Sequence, residues 1–185
     1  MSDMMDIENI EKVERESDCL CDSKKLNAVL DRMAGEISAD LKDKNPLILC
    51  VMTGGMIPLG HLATRLSFPL QLDYIHATRY QGETSGGELH WIQEPKISLA
   101  GRNVLIVDDI FDEGITLFEI DKYCKAKNAK SVASAVLVNK LHDRKVDFNI
   151  DYIGLDIEDR YLFGFGMDYK NYFRNINAIH AVKGM

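Results

Sequence analysis

Apolar positions fall at helical spacing over residues 22–44. Leu26, Leu30, Met33, Ile37 and Leu41 recur at steps of three or four, with Asp22 or Ser23 placed to cap the start, which predicts an amphipathic helix. Pro46 closes it, and Leu47–Met52 follows as an unbroken apolar run, the mark of a strand buried on both faces. Gly54 and Gly55 make a turn, and Pro58–Leu66 predicts a second helix. Further strands are predicted at Leu70–Ala77, Val104–Val107, Val132–Val138 and Ile150–Leu155, with a helix from about Thr116 to Lys127. Alternating strands and helices predict an α/β fold built on a parallel sheet with right-handed crossovers.

Two stretches break this pattern. Residues 80–96 are polar and Gly-rich with no sustained period. They read as a long mobile loop, flanked by a strand pair, and long loops in compact domains are usually lids or binding loops. Trp91 is expected to pack the base of that loop. The first 18 residues are acidic and read as a partly disordered tail.

Composition narrows the class. The chain has 185 residues, 46% of them hydrophobic and 28% charged, as in an ordinary globular protein. One domain over residues 1–185 is expected. Lys and Arg number 22 against 29 Asp and Glu, a net charge of −7, which argues against nucleic-acid binding by bulk positive charge. The acidic N-terminus has no apolar core of a secretory signal, and the long uncharged run Pro46–Ala63 is broken by prolines and glycines, so neither export nor a membrane span is expected. Cys19, Cys21, Cys50 and Cys124 form no CxxC pair, and the five histidines are scattered. Free thiols in a reducing cytoplasm follow, rather than disulfides or a zinc site.

The stretch Asn103–Leu117, NVLIVDDIFDEGITL, carries the chemistry. An apolar strand delivers Asp108 and Asp109 at its carboxyl end, and Asp112, Glu113, Gly114, Ile115 and Thr116 then turn into a helix. Ligands of open parallel sheets sit just beyond the carboxyl ends of strands, and free N–H groups at a helix N-terminus bind phosphate well. Gly114 admits a close backbone approach, and the Thr116 hydroxyl can donate a further bond. The carboxylates suit sugar hydroxyls or a Mg²⁺ ion rather than the phosphate itself. Two adjacent acids alone would be only a strand end, with Asp112 a helix cap. At this spacing the whole set reads as a sugar-phosphate site.

The same stretch resembles the phosphoribosyl pyrophosphate (PRPP) motif of type I phosphoribosyltransferases, and more narrowly of the hypoxanthine-guanine phosphoribosyltransferases. Four other segments carry the resemblance. Thr53 and Gly54, in Val51–Gly55, match the diphosphate-binding loop, where a cis or strained peptide exposes amides, although the family usually has a basic residue at the position of Thr53. Arg79 and Tyr80 open the lid, where Ser-Tyr is usual. Lys140 ends a strand in Leu137–Lys140 and matches the lysine that donates to the purine 6-oxo group, with Arg144 as a second support. An ammonium has donors and no acceptor, which favours an oxo over an amino substituent. The segment Asp159–Tyr169 resembles the purine-binding segment. There Tyr161 would stack on the base, and Leu162 and Asp168 would read its edge. Arg174 matches an arginine that contacts diphosphate. Glu113 stands where Thr is frequent.

What the resemblance implies is a mostly parallel core of about 45–140, a hood from about 1–44 plus 141–185, and a mobile loop of about 79–97. It also implies Mg²⁺ as cofactor, held by Asp108, Asp109 and Asp168, with Asp112 as general base. The implied reaction is transfer of a phosphoribosyl group from PRPP to a 6-oxopurine, in a homodimer or homotetramer. Transfer to xanthine or adenine is one alternative, and a non-catalytic PRPP or nucleotide sensor is another.

Overall fold

The structure, a computed structural model, describes residues 7–79 and 89–184. In chain order its elements are α1 (Ile7–Glu16), β1 (Asp18–Cys21), α2 (Ser23–Leu41), β2 (Leu47–Met52), α3 (Met56–Ala63), β3 (Gln71–Arg79), β4 (Leu89–Gln93), β5 (Asn103–Phe111), α4 (Ile115–Ala126), β6 (Ser131–Leu141), β7 (Tyr152–Glu158), β8 (Leu162–Phe163) and β9 (Ile179–Ala181). Six strands form a sheet in the order β4-β3-β2-β5-β6-β7. All its neighbours are parallel except the antiparallel pair β3–β4.

Strand alternation divides the interior into two cores. Ile48, Cys50, Leu105, Val107 and Leu137 face one side, where α2 and α3 contribute Leu26, Leu30, Leu59 and Leu62. Leu47, Leu49, Val104, Ile106 and Val136 face the other, covered by Leu117, Ile120 and Cys124 of α4. This is why the central strands read as unbroken apolar runs: successive side chains point to opposite faces, and both faces are covered. Asp22 caps α2 by accepting the Lys25 N–H at 2.8 Å.

A second, three-stranded sheet, β1-β9-β8, joins the two ends of the chain. It corrects the expectation of a partly disordered N-terminal tail from residue 7 onward; residues 1–6 lie outside the described residues. Residues 7–16 are helical, with Ile10 buried, and Asp18–Cys21 pairs antiparallel with β9. The partner of β1 lies some 160 residues away, so no local pattern announces it. The hood boundary expected near 140 also moves, because β7 pairs with β6 as an edge strand of the main sheet. The base of the expected mobile loop is ordered as β4. Trp91 of that strand packs on Tyr123 of α4 with ring centres 4.8 Å apart, and the Tyr123 hydroxyl donates to Glu94 at 2.8 Å. Residues 80–88 of that loop lie outside the described residues.

All four cysteines are free; Cys19 is exposed and Cys21, Cys50 and Cys124 are buried. Burial pushes the Cys50 and Cys124 thiols up to about 12, with Asp108 and Asp109 adding to the effect at Cys50. Only a thiolate attacks an alkylating reagent. Iodoacetamide at pH 8 should therefore label Cys19 in the native protein and all four cysteines in guanidinium, as read by peptide mass spectrometry; rapid native labelling of Cys50 would contradict the packing.

Candidate active site

β5 does not stop at Val107. It pairs with β6 from Asn103–Ser131 as far as Phe111–Asn139, so Asp108 and Asp109 lie inside the strand rather than beyond its end. Side-chain alternation sends Asp109 to the α3 face, with Leu105 and Val107, and Asp108 to the α4 face. Both are buried, at 8% and 7% exposure. Burial, reinforced by the neighbouring Asp109, holds the Asp108 carboxyl well above the ordinary carboxylate range. Burial also raises Asp109, opposed by its hydrogen bond with Asp108 and by Arg174.

Two turns close on this pair. The loop after β2 contains a cis peptide between Met52 and Thr53. Gly54 packs so closely on Asp109 that an added Cβ would lie 2.2 Å from its Oδ2. The turn after β5 ends on Gly114, which has φ +82° and precedes α4 without any side-chain cap. Gly114 is the N-cap, so Asp112 is not. The first N–H groups of α4, from Ile115 and Thr116 onward, are left for a ligand. They border a cavity of about 150 Å³ lined by Asp108, Asp109, Asp112, Glu113 and Thr116.

A second cavity, of about 270 Å³, is lined by Asp109, Asp112, Lys140, Tyr161, Leu162 and Asp168. The two share Asp109, Ile110 and Asp112. Tyr161 is exposed and meets Tyr169 edge-on, with ring centres 5.5 Å apart; Leu162 is buried. Asp168 is held by Arg174 and by the Asn171 N–H at 2.7 Å. Arg174 also donates to the Gly166 carbonyl at 2.6 Å and stands 3.8 Å from Asp109.

Lys140, nearly at the end of β6 and 8% exposed, lies 2.8 Å from Asp159 and 3.4 Å from Asp112. Asp159 is pulled down to about 2 by hydrogen bonds from Lys140 and Arg144, so Arg144 supports Lys140 through a shared carboxylate. His142 Nε2 lies 2.6 Å from the other oxygen of Asp112. Neither His142 nor Asp159 was singled out by sequence as a functional residue. No strand period in the sequence marks His142, which lies in the turn just past the end of β6.

The candidate residues thus converge, with qualifications. Thr53 is exposed on the β2–α3 loop. Arg79 ends β3, but its side chain and the whole of Tyr80 lie outside the described residues. Among the described residues, the three ligand-type side chains whose ligand atoms lie within 4.8 Å of one another are Asp112, His142 and Asp159, not the expected Asp108, Asp109 and Asp168. Asp108 and Asp109 both line the first cavity, and Arg174 stands between Asp109 and Asp168.

A family model described as phosphoribosyl transferase domain matches residues 17–171. The chain belongs to the phosphoribosyl transferase family. Hypoxanthine-guanine-xanthine phosphoribosyltransferase of Tritrichomonas foetus is 35% identical over 152 residues, covering 82% of this chain and 83% of that protein. Hypoxanthine-guanine phosphoribosyltransferase of Bacillus subtilis (strain 168) is 28% identical, over 95% of this chain and 94% of that one. Among solved structures, a hypoxanthine-guanine-xanthine phosphoribosyltransferase superposes with a TM-score of 0.82 at 30% identity, covering 90% of this chain and 96% of that one. A hypoxanthine-guanine phosphoribosyltransferase from Bacillus anthracis gives 0.85 at 26% identity, covering 89% and 98%.

In this phosphoribosyl transferase, Glu113 is half-buried beside the first cavity, and its carbonyl accepts the Val146 N–H at 3.0 Å. No helix among the described residues is long and apolar enough to cross a membrane.

The buried acid pair carries a stability cost. A carboxyl whose folded pKa is raised binds its proton more tightly in the native state, so stability is lost as pH rises through the window above its unfolded value. At neutral pH, Asp108→Asn removes a buried carboxyl whose ionisation the site opposes and should raise the melting temperature by roughly 2–4 °C. A lower melting temperature, read by differential scanning calorimetry, would contradict this account of Asp108.

Proposed function

We propose that this phosphoribosyl transferase moves the 5-phosphoribosyl group from PRPP to hypoxanthine or guanine, giving IMP or GMP and diphosphate. The carrying observation is the pair of adjoining cavities with Asp112 on their shared wall. One is bordered by an uncapped helix N-terminus, suited to a 5′-phosphate. The other offers an ammonium at Lys140, an aromatic face at Tyr161, and the Leu162 backbone and Asp168 for a base edge. Asp108 and Asp109 between them suit the ribose hydroxyls, and the Thr53–Gly54 amides with Arg174 suit the diphosphate.

As purine N9 bonds to C1 of the sugar, the C1–O bond breaks and its electron pair leaves on diphosphate. Asp112 takes the proton from purine N7. Closure of the lid that Arg79 and Tyr80 open would exclude water from the cation-like transition state. Asp108 and Asp109, two buried hard-oxygen donors on the wall of the first cavity, fit Mg²⁺ bound by one or two carboxylates and completed by substrate oxygens. Mg²⁺ held there would offset the charge that builds on diphosphate. A cytoplasmic place and assembly as a homodimer or homotetramer belong to the same reading and rest on the family resemblance. Xanthine is the second reading for the base, favoured by the name of the Tritrichomonas foetus relative.

Steady-state turnover with PRPP and Mg²⁺ on hypoxanthine, guanine, xanthine and adenine tests this. Hypoxanthine and guanine should be converted, and Asp112→Asn should cut turnover by roughly 10²–10⁴-fold. Activity on adenine alone would overturn the role given to Lys140, and PRPP binding with no turnover on any base would favour a sensor.

A further inference from the structure

We propose that His142 is the positioning residue for Asp112, and this rests on the reading of Asp112 as general base. The ring is almost closed off from solvent, its side chain being 6% exposed, and both nitrogens are committed. The Arg144 backbone N–H donates to Nδ1 at 3.1 Å, so Nδ1 carries no proton. The one ring proton of the neutral imidazole therefore sits on Nε2, where it is donated to Asp112 Oδ1 at 2.6 Å. The turn after β6 selects the tautomer, and the tautomer selects which oxygen of Asp112 is occupied.

Asp112 Oδ2 is the oxygen left for chemistry. In this structure it faces Lys140 Nζ at 3.4 Å. When Lys140 turns to a purine oxo group, Oδ2 is freed and only the His142 bond still fixes the carboxylate plane. Asp112 is 43% exposed at its side chain, and Lys140 and His142 are its hydrogen-bond partners among the described residues, so without His142 it would rotate among several orientations. Orientation of a reacting group within about an ångström is worth large factors in rate. His142, Asp112 and Asp159 also have the composition of a metal site, but the Lys140 ammonium sits between the two carboxylates, where a cation would have to go.

His142→Leu should lower kcat for hypoxanthine by roughly ten- to a hundredfold, in line with outer-shell substitutions elsewhere, while KM for PRPP and the melting temperature stay near wild type. His142→Gln offers an amide N–H close to the position of Nε2 and should recover most of that loss. In the Asp112→Asn background His142→Leu should have no further effect. Equal losses in both backgrounds, or no recovery by Gln, would overturn the role of His142 alone; wild-type turnover in Asp112→Asn would overturn the base assignment first and the proposal with it. Independently of activity, ¹⁵N-histidine NMR, with His142→Leu identifying the signal, should show the neutral Nε2–H form at pH 7.5. An Nδ1–H form would overturn the proposal.

Discussion

A strand covered on both faces gives its side chains nowhere to go but into packed layers, and β5 carries two carboxylates under that constraint. Asp108 and Asp109 cannot share a direction, because neighbours along a strand alternate. One is driven toward α4 and the other toward the β2–α3 loop. A single site therefore has walls from both sides of the sheet. The space beside Asp109 leaves no room for a side chain at Gly54. The charge beside Asp109 draws Arg174 in from a segment 65 positions later in the chain. The arrangement is costly to the fold, as buried, partly compensated charges are, and such concentrations of displaced protonation mark sites of function.

The second organising feature is a charge relay laid out at the end of β6. Asp159 holds Lys140, Lys140 reaches Asp112, and His142 holds the far side of Asp112. With no base bound, the ammonium and the carboxylate neutralise each other. A 6-oxopurine would replace that contact with one to each partner, its oxo group taking the ammonium and its N7 proton the carboxylate. On the proposed reading, that pairing would give way to a ligand with an acceptor and a donor in the right places, whereas an amino group at position 6 would present donors to a donor.

Much of this was legible in the residues. The core strands and three of the helices announce themselves by period, and the acid pair, Gly114 and Thr116 stand out by chemistry. What was missed has physical causes. β1 and β9 are short, and β1 exists as a strand only through β9, from the opposite end of the chain. The extension of β5 through Asp108 and Asp109 runs against the low strand propensity of Asp and is imposed by pairing with β6. His142 looked like one of five scattered histidines because its meaning depends on a contact to Asp112 across the sheet edge. Asp168 looked like a metal ligand; the fold gives it to Arg174 instead.

The N-terminal segment gains its order from contacts that a local reading does not see. Its strand β1 pairs with β9, which in turn pairs with β8, where Leu162 lies. Asp18 binds Arg160 at 2.7 Å, Arg160 donates to the Val182 carbonyl, and Ser17 meets His180 at 2.8 Å. The residues on either side of Tyr161 are thus fixed by the first twenty residues of the described chain. An acidic stretch with one buried isoleucine contributes little burial of its own, yet it closes the sheet that aims the aromatic face at the second cavity. The second cavity thus takes Tyr161 and Leu162 from a segment that both ends of the chain brace, the first is lined from the middle of the chain alone, and Asp112 lines both.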